Sequence, residues 1–282
     1  MQSEFDYIIV GGGSAGCVLA NRLSQDPDVA VLLLEAGGEG RSLFVDMPSA
    51  FAIPMASKEF NWGYYSQPEP TLNGRPMDAA RGRGLGGSSA INGMVYVRGN
   101  ACDFDEWEVN GADGWNYRNC LPYFQRAETW MHGADAYRGG SGPVGTSNGN
   151  NRKNPLYDAF IGAGEQAGYG TTDDYNGHRQ EGFGPMHMTV KGGVRSSTRR
   201  AYLSDTRGRN NLTVLTRAQV DRVEMEEGVA TRVCFEHKGV PHSVQARREI
   251  ILSAGSIGSP AVLQRSGIGP ADVLAAAGVQ LQ

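Results

Sequence analysis

The chain has 282 residues, 40 of them glycine, and carries a formal net charge of −4 with a sequence pI near 5.8. This length allows one large domain or two ordinary ones, and the acidic balance argues against nucleic-acid binding. No apolar run has the length of a transmembrane helix, and the first strand is predicted to begin within about five residues of the N-terminus, which leaves no room for a signal peptide.

The cysteines and histidines do not indicate a metal or disulfide site. The four cysteines have no paired C-x-x-C spacing and predict reduced, partly buried thiols of a cytoplasmic protein: Cys17, Cys102, Cys120 and Cys234. The five histidines form no cluster with metal-ligand spacing, so we predict no metal site and expect each histidine to be a loop or surface residue. They are His132, His178, His187, His237 and His242.

The first motif is a glycine-rich turn between a predicted strand at residues 6–10 and a predicted helix at residues 15–24. Its glycines have the spacing G-x-G-x-x-G. Gly11 makes the tight turn, Gly13 lets the backbone approach a diphosphate, and Gly16 lets the helix pack closely on the strand. The diphosphate would then lie against the free N–H groups at the helix N-terminus.

A second strand is predicted at residues 29–34, where an unbroken apolar run is typical of a parallel strand buried on both faces. The run ends at Glu35, 19 residues after Gly16, where a carboxylate can hold both ribose hydroxyls of an adenosine. Because this carboxylate would repel a 2′-phosphate, the sequence argues against NADP. A glycine-rich turn without a ligand is the alternative.

The second motif packs four glycines and two serines into residues 82–90 and then turns apolar at Ile91, Met94, Val95 and Tyr96. Such a segment suits a backbone that passes against a flat ring system and presents N–H groups where side chains would collide. A surface turn is the alternative. Because a nicotinamide dehydrogenase has no need of a second glycine-rich loop here, the motif favours a flavin.

Short strands are predicted at residues 212–216, 220–226, 230–237 and 243–248, followed by a separate buried strand at 249–255 that ends in Ser-Ala-Gly. The small residues Ala254 and Gly255 let the backbone pass a cofactor. This layout is that of glutathione-reductase-like FAD domains. We therefore predict an α/β fold, a glutathione-reductase-like FAD-binding Rossmann-type domain with a β-meander, plus part of an α+β substrate domain.

Two long segments carry a family resemblance. Residues 82–92, with Tyr96, Gly99 and Asp105 beyond them, resemble the first signature of the glucose–methanol–choline (GMC) oxidoreductases, and residues 255–269 resemble the second. The resemblance extends over essentially the whole chain. Segments at 61–62, 173–176, 181–185 and 196–203 are similar to the choline dehydrogenase-like branch and its alcohol dehydrogenase relatives.

The resemblance implies FAD as the cofactor and a role for each matching position. The implied diphosphate contacts are Gly11, Gly13, Ser14, Ala15 and Gly16; the ribose contacts are Glu35 and Ala36; the flavin contacts are Leu85, Asn92, Gly93, Met94 and Val95; and the adenine contact is the backbone of Val220. Covalent members carry a flavin-linking histidine where this chain has Ile91, so the resemblance implies non-covalent FAD.

The two glycine motifs and the Ser-Ala-Gly strand must meet one cofactor, so we predict a discontinuous FAD-binding domain at residues 1–40, 75–110 and 205–282. Residues 41–74 and 111–204 would form part of a substrate-binding domain. Family members are much longer, and their catalytic histidine and its partner would lie beyond Gln282. We therefore assign no catalytic residue and expect this chain alone to be inactive.

The activity implied is FAD-dependent oxidation of a primary alcohol to the aldehyde, by hydride transfer to flavin N5, with choline as the favoured substrate. The aromatic residues Trp62, Tyr64 and Tyr65 could face a quaternary ammonium or equally be core or subunit-contact residues. The resemblance implies a quinone or another electron acceptor and allows peripheral contact with the inner membrane; a homo-oligomer is left open. A catalytically silent truncated FAD-binding fragment or assembly module stays an alternative, as does an NAD-dependent reductase, against which the two signatures argue.

Overall fold

The computed structural model describes residues 3–149 and 154–282. They form two compact units, the first made of residues up to Asn92 together with Ser197–Gln282, and the second made of Gly93–Ser196. Residues 41–74, predicted for a substrate-binding domain, thus belong to the first unit. The division into FAD-binding and substrate-binding parts stays a prediction.

The first unit is built on a six-stranded sheet. Its strands are β1 (Glu4–Val10), β2 (Val31–Glu35), β3 (Leu212–Thr216), β4 (Ala218–Glu226), β5 (Val229–His237) and β6 (Val240–Leu252), in the order β3-β2-β1-β6-β5-β4. The pairs β3–β2, β2–β1 and β1–β6 are parallel, and the pairs β6–β5 and β5–β4 are antiparallel. A parallel half therefore continues into a β-meander.

Both faces of the parallel half are covered, which explains why every residue of β2 is buried. Because successive side chains of a strand alternate between faces, Ile9 and Leu33 pack with Ala20 of the helix α1 (Ser14–Leu23). The opposite face joins the meander in one apolar core that includes Ile8, Leu32, Leu34, Val220, Val233 and Phe235.

The prediction of separate strands at 243–248 and 249–255 is wrong, because β6 is one strand of 13 residues. Its first half pairs antiparallel with β5, and from Gln245 onward it pairs parallel with β1. The strand changes partner without a turn, so no glycine or proline marks the change. It ends at Leu252 because Ala254 caps the next helix, α2 (Gly255–Arg265).

The remaining elements of the first unit are short, and α1 and α2 are its two longer helices in the described part of the chain. A third helix, α3, spans Ala271–Ala276. The other helical segments are Leu43–Asp46, Pro48–Ala50, Ala52–Ala56, Pro70–Leu72, Gly87–Ala90, Arg199–Leu203 and Ser204–Thr206.

The second unit combines three helices with small two-stranded sheets. The helices are Ala101–Val109, Tyr117–Ala127 and Leu156–Gln166; the paired strands are Glu128–Trp130 with Val144–Thr146 and Val190–Lys191 with Val194–Arg195. Asn100 and Asn116 cap the first two helices with their side chains. A buried ionic cluster lies beside these strands, where Arg138 and Arg98 pair with Glu128 at 2.6 and 2.8 Å.

The expectation for the histidines is correct for only part of the set. His132 and His178 are exposed, whereas His237 and His242 lie within β5 and β6 and are half-buried. His187 is outside helices and strands but is fully buried, with its ring centroid 4.6 Å from that of Trp130 and 4.5 Å from that of Tyr175. Aromatic and ionic side chains surround His187 and bury it, and no local sequence pattern predicts these contacts.

The four cysteines are free thiols, two of them buried. Burial raises the pKa of the Cys17 thiol to about 11, which keeps it protonated and unreactive at neutral pH. Of the helices in residues 3–149 and 154–282, none is both long and apolar enough to cross a membrane.

Candidate cofactor-binding site

The turn between β1 and α1 has the backbone that the first motif predicts. Gly11 has a φ of +102°, and a Cβ there would lie 2.6 Å from the carbonyl oxygen of Ser253. A Cβ on Gly16 would overlap the carbonyl oxygen of Gly11. Glycine is therefore required at both positions by the protein itself.

Gly13 differs from the other two glycines of the motif. It is the N-cap of α1, and a Cβ there would meet no atom closer than the Ser253 carbonyl oxygen at 3.9 Å. The protein would therefore accept a Cβ at this position in ordinary van der Waals contact, so its own packing does not require glycine here. A ligand that approaches the backbone closely would require it, as the motif predicts.

The N-terminus of α1 has no internal cap. Gly13 has no side chain, the first turn contains no acidic residue, and Ser14 and Ala15 are exposed. The first N–H groups of the helix thus have no capping side chain, and no carboxylate belongs to the first turn. An N-terminus of this kind attracts an anionic group such as a diphosphate.

Glu35 lies at the end of β2 and is 6% exposed, and it joins three backbone turns. Its Oε2 accepts a hydrogen bond from the N–H of Gly12 at 2.8 Å, while its Oε1 accepts from Gly37 at 2.8 Å and Gly84 at 2.9 Å. A carboxylate offers about four acceptor positions, so one remains for a further donor. The predicted contact of Glu35 and the half-buried Ala36 with ribose stays a prediction.

The second glycine loop packs directly on the first. The N–H of Gly86 donates to the Gly12 carbonyl at 2.8 Å, and a Cβ on Gly87, where φ is +51°, would lie 2.7 Å from the Cα of Gly13. Leu85 also reaches this turn, because a Cβ on Gly12 would lie 2.7 Å from its side chain. The glycines of residues 82–90 therefore permit backbone-to-backbone approach.

The end of β6 completes this edge of the sheet. The N–H of Ser253 donates to the Val10 carbonyl at 2.8 Å, and its hydroxyl donates to the Gly11 carbonyl at 2.8 Å. Ala254 is half-buried, and Gly255 is exposed with open space where a Cβ would stand. Ser253 is not among the site residues predicted from the sequence. The Ser-Ala-Gly run is the signal that could have indicated it, but the prediction includes only Ala254 and Gly255 of that run.

Val220 has its side chain in the core shared by the meander and β2. Its carbonyl oxygen accepts hydrogen bonds from Arg265 at 3.2 Å and from Gln219 at 3.3 Å. A cavity of about 610 Å3 is lined by Val220, Phe235 and Arg265, among others. The contact of the Val220 backbone with adenine stays a prediction.

The last predicted flavin contacts fall on both sides of the division between the units. Asn92 ends the first segment of the first unit, and its N–H donates to the Ser88 carbonyl at 2.9 Å. Gly93, Met94 and Val95 belong to the second unit, where Met94 is buried with a φ of +63° and Val95 is exposed. Their contact with the flavin stays a prediction.

The strand ends of β1, β2 and β6 and the two glycine loops thus meet at one edge of the parallel sheet.

Comparison with known proteins identifies the family. Residues 5–281 match the profile of the GMC oxidoreductases. The chain belongs to the GMC oxidoreductase family.

Among curated relatives, the chain is 57% identical over its whole length to an oxygen-dependent choline dehydrogenase of Photobacterium profundum, of which it covers 50%. It is 58% identical over 99% of its length to the protein of the same name from Vibrio vulnificus, again covering 50%. The chain therefore spans about half the length of the curated relatives it matches.

Solved structures give the same answer for the fold. The chain is similar to pyridoxine 4-oxidase from Mesorbium loti with a TM-score of 0.90 and 38% identity, covering 98% of this chain and 54% of that one. It is also similar to an FAD-dependent oxidoreductase from Chaetomium thermophilum with a TM-score of 0.91 and 32% identity, covering 98% and 50%. The predicted α/β fold with a Rossmann-type domain and a β-meander is confirmed.

Proposed function

We propose that this chain is the FAD-binding part of an oxidoreductase that oxidises a primary alcohol, with choline as the favoured substrate, to the aldehyde. The observation that carries the proposal is the meeting of two glycine loops, Glu35 and the Ser253–Gly255 backbone at one sheet edge. The high identity to choline dehydrogenases supports the choice of substrate. When bound, FAD would supply the hydride acceptor at its N5 atom.

The residues present fit FAD. The uncapped N-terminus of α1, where Gly13 has no side chain, would receive the diphosphate, with contacts from Gly11, Ser14, Ala15 and Gly16. The free acceptor position of Glu35, beside Ala36, would hold a ribose hydroxyl. Leu85, Asn92, Ala254 and Gly255 would lie along the remainder of the cofactor.

We propose that the FAD is held without a covalent bond. Ile91 is 3% exposed and packs in an apolar cluster with Val45 and Ala90. An aliphatic side chain has no atom able to bond to the flavin.

The substrate contact suggested for Trp62 receives no support from its surroundings. The guanidinium of Arg83 lies 5.0 Å from the Trp62 ring centroid, and Tyr64 stacks with Trp62 at 5.8 Å. A cation already interacts with this ring, so a quaternary ammonium would have to compete with Arg83. We assign no substrate-binding or catalytic residue within residues 1–282.

The cofactor part of the proposal is tested by titrating the purified chain with FAD and following the quenching of flavin fluorescence. Saturable binding with a single site is expected, and a lack of saturable binding would contradict the proposal. The substrate part needs a longer protein, because the chain alone is expected not to oxidise choline. A chimera that joins residues 1–282 to the second half of the Photobacterium profundum relative should oxidise choline with an artificial electron acceptor. A chimera that binds FAD but does not oxidise choline would contradict choline as the substrate.

We also propose a quinone or another carrier as the electron acceptor, together with peripheral contact with the inner membrane. In the same chimera, reduction of a water-soluble quinone should be faster than consumption of oxygen. Faster consumption of oxygen would contradict the proposal that a quinone is the electron acceptor.

A further inference from the structure

A second polar cleft lies in the first unit, beside the edge strand β3. Its volume is about 330 Å3. Its walls come from the loop at residues 39–41, from Leu85, from residues 199–209 and from the side chains of β3. Four arginines line it: Arg41, Arg199, Arg207 and Arg209. Among the described lining residues, Glu39 is the one carboxylate.

The positive charges of this cleft exceed the negative charges near them. Glu39 pairs with Arg41 at 3.1 Å, and Asp46 lies 3.5 Å from Arg199 but also 3.4 Å from Arg200 outside the cleft. The two remaining cleft arginines have no carboxylate partner in the part of the chain that the structure describes. At least two positive charges are left over in a chain whose net charge is −4.

The two unbalanced arginines differ in how firmly they are held. Arg209 donates to the neutral acceptors Asn21 O at 2.6 Å and Ser24 Oγ at 2.8 Å, which fix its guanidinium without neutralising it. Arg207 is exposed, and no described residue accepts a hydrogen bond from its side chain. One arginine is therefore pre-positioned, and the other is free to close on a ligand.

Arg199 adds a second, independent observation. Its side chain is only 12% exposed, and its Nε is buried without a hydrogen-bond partner among the described residues. Burial lowers the pKa of Arg199 from its ordinary value. The charge of Asp46 opposes this shift, and the neighbouring cations Arg41 and Arg200 add to it. A buried donor without an acceptor is unfavourable, and an anion in the cleft would remove both the unmet hydrogen bond and the charge repulsion.

We propose that this cleft binds a phosphate group carried by a small molecule or by a lipid headgroup. Guanidinium groups present paired N–H donors that match phosphate oxygens. A phosphate dianion would balance both excess charges, and the phosphodiester of a lipid headgroup would balance one. A cleft of about 330 Å3 fits a phosphoryl group with a small substituent. Leu85, one of the proposed cofactor contacts, also lines the cleft, but none of the four cleft arginines is among the proposed FAD contacts.

The test is calorimetric titration of the purified protein with inorganic phosphate in a low-salt chloride buffer. FAD is added in excess to occupy the glycine-rich diphosphate site. Because the experiment measures phosphate binding, the result does not depend on turnover. We expect saturable phosphate binding that weakens at least tenfold in Arg207→Gln and in Arg199→Gln. Arg75→Gln, which removes an exposed charge outside the cleft, should leave the affinity unchanged.

Arg207 is exposed, and its side chain donates no hydrogen bond to a described residue, so Arg207→Gln should fold normally even if the buried Arg199→Gln does not. Equal phosphate affinity in wild type and Arg207→Gln, or no saturable binding at all, would overturn the proposal.

Flotation with phosphatidylcholine vesicles, with and without phosphatidylglycerol, identifies the source of the phosphate. If the protein floats with vesicles that contain phosphatidylglycerol, and Arg207→Gln does not, the proposed site is supported and its ligand is a lipid headgroup. If the protein binds inorganic phosphate but does not float with either kind of vesicle, the site is supported and its ligand is a soluble phosphate compound.

Discussion

At the scale of single residues, Glu35 connects the sheet edge to both glycine loops. Its carboxylate accepts N–H groups from Gly12, Gly37 and Gly84, and these three turns are otherwise far apart in the sequence. The side chain therefore organises the protein backbone, in addition to its proposed contact with ribose.

We predict that Glu35→Gln weakens both the fold and the cofactor site. The amide nitrogen of glutamine cannot accept a hydrogen bond, so at least one buried N–H would lose its partner, which costs about 1–3 kcal/mol. Denaturant unfolding without FAD should show this loss, and FAD affinity should fall by about 1–3 kcal/mol. Glu59→Gln, at an exposed position, is the control. If unfolding is unchanged while FAD binding weakens, Glu35 acts through ribose alone.

His187 shows how burial changes the pKa of a side chain. Its Nδ1 lies 3.2 Å from Arg138 Nη1 and 3.2 Å from Asn176 Nδ2, and both are donors, so Nδ1 must be the acceptor and the imidazole must be neutral. Burial, followed by the charge of Arg138, lowers the pKa of His187 to about 4.

This lowered pKa predicts a loss of stability in acid. Between about pH 6.5 and pH 4 the unfolded chain binds a proton at this histidine and the folded chain does not, so the contribution of His187 to folding falls as the pH falls through that range. We expect thermal melting from pH 7 to pH 4.5 to show a smaller decrease in Tm for His187→Gln than for wild type. His178→Gln, at an exposed histidine, should follow wild type. Parallel curves for wild type and His187→Gln would contradict the prediction.

At the scale of elements, the first motif separates a packing role from a ligand role. Gly16 lets α1 lie against the β1 turn, whereas a Cβ on Gly13 would only make ordinary van der Waals contact with the protein. The same substitution at these two positions should therefore have different consequences.

We predict that Gly16→Ala destabilises the protein even without FAD, because the added Cβ overlaps the Gly11 carbonyl and α1 must move away from β1. Gly13→Ala should keep the melting temperature of the FAD-free protein and weaken only FAD binding. Differential scanning fluorimetry and flavin titration measure the two effects. Unchanged FAD affinity in Gly13→Ala would show that no ligand approaches this backbone.

The elements also show what could be predicted from the sequence. The sequence predicts the end of α1 within one residue and the start of β2 within two, because Asp26-Pro27 and an unbroken apolar run mark these ends locally. The continuity of β6 was missed because its partner changes along one extended segment. The burial of His187 and the bond from Gly84 to Glu35, 49 residues away, depend on contacts that no local period encodes.

At the scale of the whole molecule, the cofactor site and the arginine-lined cleft use different parts of one sheet. The proposed FAD contacts gather where β1, β2 and β6 end, while the cleft runs along the edge strand β3. Residues 199–209 supply three of its arginines, and the motifs of the cofactor site do not include them. Leu85 borders both sites, whereas the four arginines line the cleft alone. Substitution of an arginine should therefore affect phosphate binding without removing an FAD contact, and the phosphate titration of FAD-saturated protein uses this difference.

Because none of the proposed FAD contacts is a covalent bond, we predict that complete unfolding releases all of the flavin. Acid precipitation of the FAD-loaded protein should leave a colourless pellet and a yellow supernatant that contains one flavin per chain. Ile91→His is the informative comparison, because it places an imidazole at the position where the family resemblance implies a flavin-linking histidine in covalent members. Flavin kept in the Ile91→His pellet would show that the geometry allows a bond that isoleucine cannot form. Yellow colour in the wild-type pellet would mean that another residue of this chain bonds to the flavin, and peptide mapping of the flavin-labelled fragment would identify it.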